Sequence, residues 1–359
     1  MQYKFLIYIS YSYAIPIGNP LEIEISNRGD QVQWFSDYED GKKALQNKAN
    51  VLDTIEAVIE YQPHIVLTAT DDVPDFISGL KVQIFHGFFA QKRPEGNDKF
   101  AHFRIRGFFD LYCTQGPTAT SGFNEQQKKQ PHFEVIETGW SKVDPLFPIT
   151  EKAIQEVPTI MIASTFTKRL SLAYHDDVYN EIKRLSQTGD YNFIMVLHPK
   201  LPQELKDKWK SLNGKHFTYH DTTDLIPLFK KADIMFADTT SAIQEFLLQK
   251  KPVVTYNHTF NHEYLINITE ANAIESAFKK GISRPEQLLI HIDRFINQLH
   301  PYFDGKSSKR VVEGCIAFLH KDKSHLKNKP LNLIRKYKIR KRLGHFTLKS
   351  YSKPFTIKI

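Results

Sequence analysis

The chain has 359 residues, 41% hydrophobic and 25% charged, which is the composition of a soluble globular protein long enough for two cores. Its net charge of +8 sits at one end: Lys327 to Ile359 holds eleven Lys or Arg and no Asp or Glu, which leaves −3 for the rest. A mildly acidic body argues against a nucleic-acid groove there, and two distant cysteines, Cys113 and Cys315, make no disulfide framework and point to a reducing, cytoplasmic compartment.

The chain opens on an apolar run, Lys4–Ser10, too short and too interrupted to span a membrane or serve as a signal peptide. It reads as the first strand of an α/β sheet. A loop follows at Pro16–Asn19, then a helix over Pro20–Gly29, a strand at Gln31–Ser36, and a helix over Lys42–Tyr61 that ends before Pro63. Strands are predicted at Ile65–Ala69, Val82–Phe85, Leu111–Thr114 and Glu134–Thr138. Gly139 to Pro148 reads as the connection to a second unit. There Thr159–Ala163, Phe193–Leu197, Thr218–His220, Ile234–Ala237 and Val253–Tyr256 read as strands, with helices at Asp176–Ser186 and Leu225–Lys231. Such alternation predicts parallel sheets with covering helices. The expected division is residues 1–148, residues 149–322 and a basic tail over 323–359.

Four places suit chemistry, three of them just after predicted strands, where open α/β sheets bind their ligands. His86-Gly87 follows the fourth strand. A histidine there suits a general base, and Gly87 suits a tight turn and close ligand approach; a structural histidine is the other reading. His198-Pro199 also closes a strand and offers an imidazole donor to phosphate, against the same structural alternative. Asp238-Thr239-Thr240-Ser241 precedes a helix in which Ser241 and Gln244 fit a capping box. Unpaired N–H groups and hydroxyls at such a turn suit a pyrophosphate, or amount to an ordinary cap. Asp304-Gly305-Lys306-Ser307-Ser308-Lys309-Arg310 reads as a turn opening a helix through Phe318, with hydroxyl, ammonium and backbone donors; a solvated turn is its plain reading.

The order and spacing of these motifs resemble the CDP-glycerol glycerophosphotransferase family, the teichoic acid and capsule polymer enzymes. The resemblance rests on His86-Gly87 with the basic Lys92-Arg93, on Gly139-Trp140-Ser141-Lys142-Val143-Asp144, and on His198-Pro199. It continues with Asp238-Thr239-Thr240-Ser241 ahead of Lys251-Pro252, and with Asp304-Gly305-Lys306-Ser307-Ser308-Lys309-Arg310. It covers roughly Val82 to Phe318. The chain departs from the family pattern at Thr240, which stands for a serine, at His198, which lacks a nearby arginine, and at Phe88-Phe89-Ala90-Gln91. The first eighty residues carry no family motif.

The resemblance implies a GT-B fold, two Rossmann-like domains facing a cleft, residues 1–148 for the acceptor and residues 149–322 for the CDP-activated donor. It implies attack of an acceptor hydroxyl on the β-phosphorus of a CDP-alcohol, with glycerol the first choice of alcohol, and release of CMP. His86 would take the proton. His198, the Asp238–Ser241 turn and the Asp304–Ser307 turn would hold the pyrophosphate. The acceptor would be a glycan or a lipid-linked polymer. The CDP-alcohol would be substrate, no cofactor and no metal ligand is implied, and the resemblance leaves divalent metal dependence open. The tail interleaves Leu333, Ile334, Tyr337, Ile339, Leu343 and Phe346 with its cations, a pattern that suits an anionic membrane surface at the inner face of the cell membrane, a solvated tail, or a helix docked on the body. A GT-B glycosyltransferase or sugar-nucleotide epimerase is the alternative activity, and a non-catalytic envelope-assembly protein the third reading.

Overall fold

A computed structural model of the chain describes residues 1–89, 103–149 and 156–357. It divides into two compact units. The first comprises residues 1–89 and 103–147 together with 299–357; the second comprises residues 156–298.

The first unit runs β1 (Lys4–Ile9), α1 (Ile15–Asn27), β2 (Gln31–Ser36), α2 (Glu39–Leu45), α3 (Ile55–Tyr61), β3 (Ile65–Thr68), β4 (Leu80–Gln83), β5 (Leu111–Thr114), α4 (Pro117–Lys129) and β6 (Glu134–Glu137). Its sheet has the order β2-β1-β3-β4-β5-β6, every pairing parallel. Phe5 to Ile9 are buried on both faces, as a parallel strand sandwiched between helical layers requires. The order reverses between β1 and β3, so the crevice that such sheets offer to ligands lies beyond the carboxyl ends of those two strands.

The second unit runs β7 (Thr159–Ser164), α5 (Asp176–Thr188), β8 (Asn192–Leu197), α6 (Gln203–Lys210), β9 (Phe217–Tyr219), α7 (Ile226–Lys231), β10 (Ile234–Ala237), α8 (Ala242–Leu247), β11 (Val253–Tyr256), β12 (Ile266–Ile268), α9 (Ile274–Ile282) and α10 (Glu286–Leu299). Its sheet order, β12-β11-β10-β7-β8-β9, is the doubly wound nucleotide-binding order, and the switch falls between β7 and β10.

The chain then returns to the first unit with α11 (Ser307–His320) and α12 (Leu333–Leu343). The expected boundary at residue 322 and the separate tail are therefore replaced: residues 299 onward complete the first unit. Ile339 of α12 is buried in that unit's core with Tyr8, Phe35, Phe76 and Tyr112. The cations on the inner side of the tail find carboxylates there. Arg340 pairs with Asp75 at 2.6 Å, Lys329 with Asp110 at 2.7 Å, and Arg342 with Asp37 at 2.8 Å and Asp72 at 2.9 Å.

Two local expectations also change. The helix expected from Pro20 begins at Ile15, because Pro16 fits the first turn and Gly18 lets α1 lie against Trp34; a Cβ on Gly18 would sit 2.2 Å from that indole. The helix expected over Lys42–Tyr61 is two helices. Between them the backbone of Asn50 and Leu52 bonds to Trp34, and the Asn50 amide reaches Glu22 and the Val32 carbonyl. Thr54 then caps α3 by accepting from the Ala57 N–H at 3.1 Å.

Candidate functional site

In the first unit β4 ends at Gln83, three residues before His86. Those residues turn sharply: Phe85 has φ +58°, a left-handed conformation that costs a bulky side chain about 1–3 kcal/mol. The surroundings hold it there. The Phe85 N–H donates to Gln83 Oε1 at 3.0 Å, and the Trp140 indole N–H donates to the Phe85 carbonyl at 3.2 Å. The special backbone position is thus Phe85; Gly87 has no positive φ, and a Cβ on it would meet nothing within 4 Å. Gly87 instead leaves open space beside His86, and its carbonyl accepts from Gln115 at 2.8 Å.

The His86 ring is exposed and lies over the switch point. Its Nδ1 is 3.3 Å from the carbonyl of Ala69, just beyond β3, and the ring meets Tyr13, just beyond β1, at 5.7 Å. A carbonyl only accepts, so Nδ1 carries the proton and Nε2 keeps a free lone pair. That is the tautomer a general base needs. The basic Lys92-Arg93, with Ala90 and Gln91, lies outside the described residues.

Two further motifs stand behind this turn. Gly139, at φ +81°, comes so close to α11 that a Cβ would lie 2.4 Å from Ser307 Oγ. The Trp140 N–H donates to His300 Nε2 at 3.0 Å, and burial pushes that imidazole down to about 4, so it stays neutral and accepting. Asp144 then caps α11: its carboxylate accepts from the Ser307 N–H at 2.8 Å, the Ser308 N–H at 2.7 Å and the Ser308 hydroxyl at 2.6 Å. The helix N–H groups expected to meet pyrophosphate are therefore engaged by a carboxylate of the protein itself. Asp304 bonds the Lys306 N–H and pairs with Arg310, Gly305 takes φ +67° to make the turn, and Ser307 is buried. The Asp304, Lys306 and Lys309 side chains reach solvent, and Lys306 lies on a surface pocket shared with Glu24, Asp144 and Lys309. These two motifs act as the scaffold of the Phe85–His86 turn.

In the second unit the switch point is organised by Asp238. Its side chain is fully buried and accepts from Ser164 Oγ at 2.6 Å, the Thr165 N–H at 3.0 Å and the Leu172 N–H at 3.0 Å, tying the loop after β7 to the end of β10. Burial pushes its carboxyl up to about 6 and those hydrogen bonds only partly offset it. Asp238 thus faces the protein and positions the turn. Thr239 is buried; Thr240 and Ser241 are half-buried. The capping box does not form: Ser241 makes no side-chain cap, α8 begins at Ala242, and it is Thr240 Oγ1 that meets the Ala242 N–H, at 3.4 Å. The Ser241 backbone is already helical, with φ −69°, so its side chain cannot reach back in the usual way. Replacing Asp238 by Ala leaves the Thr165 and Leu172 N–H groups without this acceptor, while the Ser164 hydroxyl keeps Ser171. The expected loss is about 3 kcal/mol or more, read as a lower urea midpoint, and an unchanged midpoint would mean the loop is held by other contacts.

His198 directly follows β8. Its Nδ1 accepts from the Lys200 N–H at 3.1 Å, which leaves the proton on Nε2 as a donor, and its ring packs on the exposed Phe166 at 4.6 Å. Burial, then the charges of Lys200 and Lys206, hold the imidazole below its ordinary range, so it is a neutral donor at pH 7.

Sequence reasoning missed the loop after β11. His258 and His262 sit 5.5 Å apart, His262 stacks on Tyr264, and these residues line a small cavity with Thr239, Thr240 and the buried Gln244. Their position beyond a strand end is the signal that was available. No cluster of metal-ligating side chains occurs among the described residues.

The model of the family CDP-Glycerol:Poly(glycerophosphate) glycerophosphotransferase matches residues 101–264, and the chain resembles that family as its motifs implied. No curated protein matches it in sequence. Among solved structures, the wall teichoic acid polymerase TagF superposes with a TM-score of 0.63 at 14% identity, over 88% of this chain and 88% of that one. A TagF variant soaked with CDPG gives 0.60 at 14% identity, again over 88% of each. A UDP-GlcNAc 2-epimerase from Neisseria meningitidis bound to UDP-GlcNAc gives 0.58 at 15% identity, over 88% of this chain and 100% of that one. At such identities the structures establish the fold, which is GT-B.

Proposed function

We infer that this chain is a CDP-glycerol glycerophosphotransferase-like enzyme, transferring glycerol phosphate from CDP-glycerol to a hydroxyl of a teichoic-acid-type polymer or cell-envelope glycan. The family match over residues 101–264 carries this reading. The epimerases are similar to this chain in fold alone, at 15% identity or less, and they carry less weight.

The acceptor oxygen attacks the β-phosphorus of CDP-glycerol. The bond from that phosphorus to the bridging oxygen breaks, and CMP leaves with the electron pair. The acceptor's proton passes to His86 Nε2, whose lone pair is left free by the Nδ1 contact to Ala69. His198 Nε2 and the hydroxyls of Thr240 and Ser241 are assigned to the pyrophosphate, where fixed donors stabilise charge as it moves to the leaving group. Asp238 and Asp144 position these groups without touching substrate. The test is a screen of CDP-alcohols with glycan and polymer acceptors. A phosphodiester product with CMP supports the assignment; a glycosidic bond with a nucleoside diphosphate, or an epimerised sugar nucleotide, refutes it.

We also propose that the outer face of the C-terminal segment rests on an anionic membrane. No described helix is long and apolar enough to cross one. Yet Leu331, Leu333, Ile334, Tyr337, Phe346 and Leu348 all point to solvent, and Arg335, Lys338, Lys341 and Lys349 are exposed among them. This is the pattern of a surface-lying amphipathic segment. Because each cation near such a bilayer contributes about 1 kcal/mol, Lys338→Glu with Lys341→Glu is expected to weaken binding to phosphatidylserine-containing vesicles at least about tenfold. High salt is expected to act the same way. Equal sedimentation with neutral and anionic vesicles would sink the idea.

A further inference from the structure

We propose that the exposed tyrosine stack Tyr38–Tyr11–Tyr13, which runs up to His86, is the acceptor subsite, and that it takes an uncharged saccharide ring. The proposal rests on the reading of His86 as the base.

The three rings come from two loops at the carboxyl end of the sheet, Tyr11 and Tyr13 after β1 and Tyr38 after β2. Tyr11 and Tyr38 are 5.3 Å apart with planes 13° apart, and Tyr11 and Tyr13 are 5.6 Å apart with planes 22° apart. They remain 42% (Tyr11), 40% (Tyr13) and 38% (Tyr38) exposed. Stacked with an offset, the partly exposed rings form a stepped apolar platform, its Tyr38 end covered by Arg342. The platform is continuous with His86, whose ring lies 5.7 Å from Tyr13. A sugar laid on it presents the C–H face of its ring to the tyrosines and a hydroxyl at its edge to the base.

The charges around the stack say which kind of acceptor fits. Asp37 and Asp40 flank it on one side: Asp37 accepts from Ser10 and Asp40 from the Ser12 N–H. Asp71 and Asp72 lie beyond β3. Among the described residues the cations that meet these four carboxylates are Arg342, bonded to Asp37 and Asp72 and placed 5.1 Å over Tyr38, and Arg106, bonded to Asp71 at 3.2 Å. Among the described residues, four carboxylates therefore face two guanidiniums beside the platform, an acidic excess. Burial raises the Tyr13 phenol to about 12, and Tyr11, Asp71, Asp37 and Asp40 all add to that rise. Such a field repels a poly(glycerol phosphate) chain and supplies acceptors for the hydroxyls of a neutral sugar. The site thus suits the placing of glycerol phosphate on a glycan more than the extension of a polyanion.

The test uses the full chain with CDP-glycerol and two acceptor classes, neutral methyl glycosides and disaccharides on one side and hexa(glycerol phosphate) on the other. The wild-type protein is expected to prefer the neutral class by kcat/KM. Tyr11→Ala and Tyr13→Ala are expected to raise the acceptor KM at least tenfold, leave the CDP-glycerol KM unchanged, and be rescued by Tyr11→Phe and Tyr13→Phe. Saturation-transfer contacts from the protein to the disaccharide, measured without donor, are expected to vanish in the alanine variants; this readout stands even if no turnover occurs and the activity assignment fails. Preference for hexa(glycerol phosphate), saccharide contacts unchanged in Tyr11→Ala, or loss of CDP binding in that variant, which would give the stack to the cytosine, each overturns the proposal.

Discussion

His86→Ala is expected to lower turnover about 100-fold or more while leaving CDP-glycerol affinity and the melting temperature nearly unchanged. The size follows from what the side chain does in the proposed reaction: without the Nε2 lone pair the attacking hydroxyl must lose its proton to water. The small structural effect follows from what the side chain touches. It is exposed, and its contacts are a 3.3 Å approach to the Ala69 carbonyl and a ring contact with Tyr13. The left-handed turn that presents it is held from Phe85, through Gln83 and Trp140, and survives the truncation. Near-normal turnover would remove the general-base assignment, and a large fall in melting temperature would make His86 structural.

Much of this was legible in the sequence. Apolar runs such as Phe5–Ile9 and Ile234–Ala237 announce strands buried on both faces, and alternation with helices announces parallel sheets. His198 and Asp238 do follow their strands directly. What the sequence could not show is which way a side chain turns. Asp238, in a row of small polar residues, looks like a ligand group, but its carboxylate accepts from three donors of the loop after β7. Ser307 and Ser308 look like an open helix N-terminus, but Asp144, more than 160 residues earlier in the chain, fills it. Such pairings depend on long-range closure, and local propensity carries no record of them. The Tyr38–Tyr11–Tyr13 stack was hidden for the same reason: its rings meet only because β1 and β2 are neighbours.

Removal of residues from Lys327 onward is expected to unfold the first unit, although every candidate catalytic residue precedes the cut. Of the readings that the sequence leaves for the tail, the packing of α12 follows the helix docked on the body. Ile339 would leave a hole in the core beside Tyr8 and Phe76. Asp110, with a fully buried side chain, would lose Lys329, and Asp75 would lose Arg340 and Lys336. Stranding one buried partner costs about 3–5 kcal/mol, so two such losses approach the whole stability of a typical domain, about 5–15 kcal/mol. The same logic gives a milder test by pH. Burial alone would raise the Asp75 carboxyl, but hydrogen bonds from Arg340 and Ser350 and the charges of Lys336 and Arg340 outweigh it and hold the group below its ordinary range. Its ion pairs therefore stabilise the fold above the ordinary carboxylate range, and that contribution is lost as pH falls through the lowered value. Arg340→Ala should shift the melting temperature down at pH 7 and converge on the wild type in strong acid. A truncated chain that melts like the full one and keeps its turnover would show that α12 is an appendage.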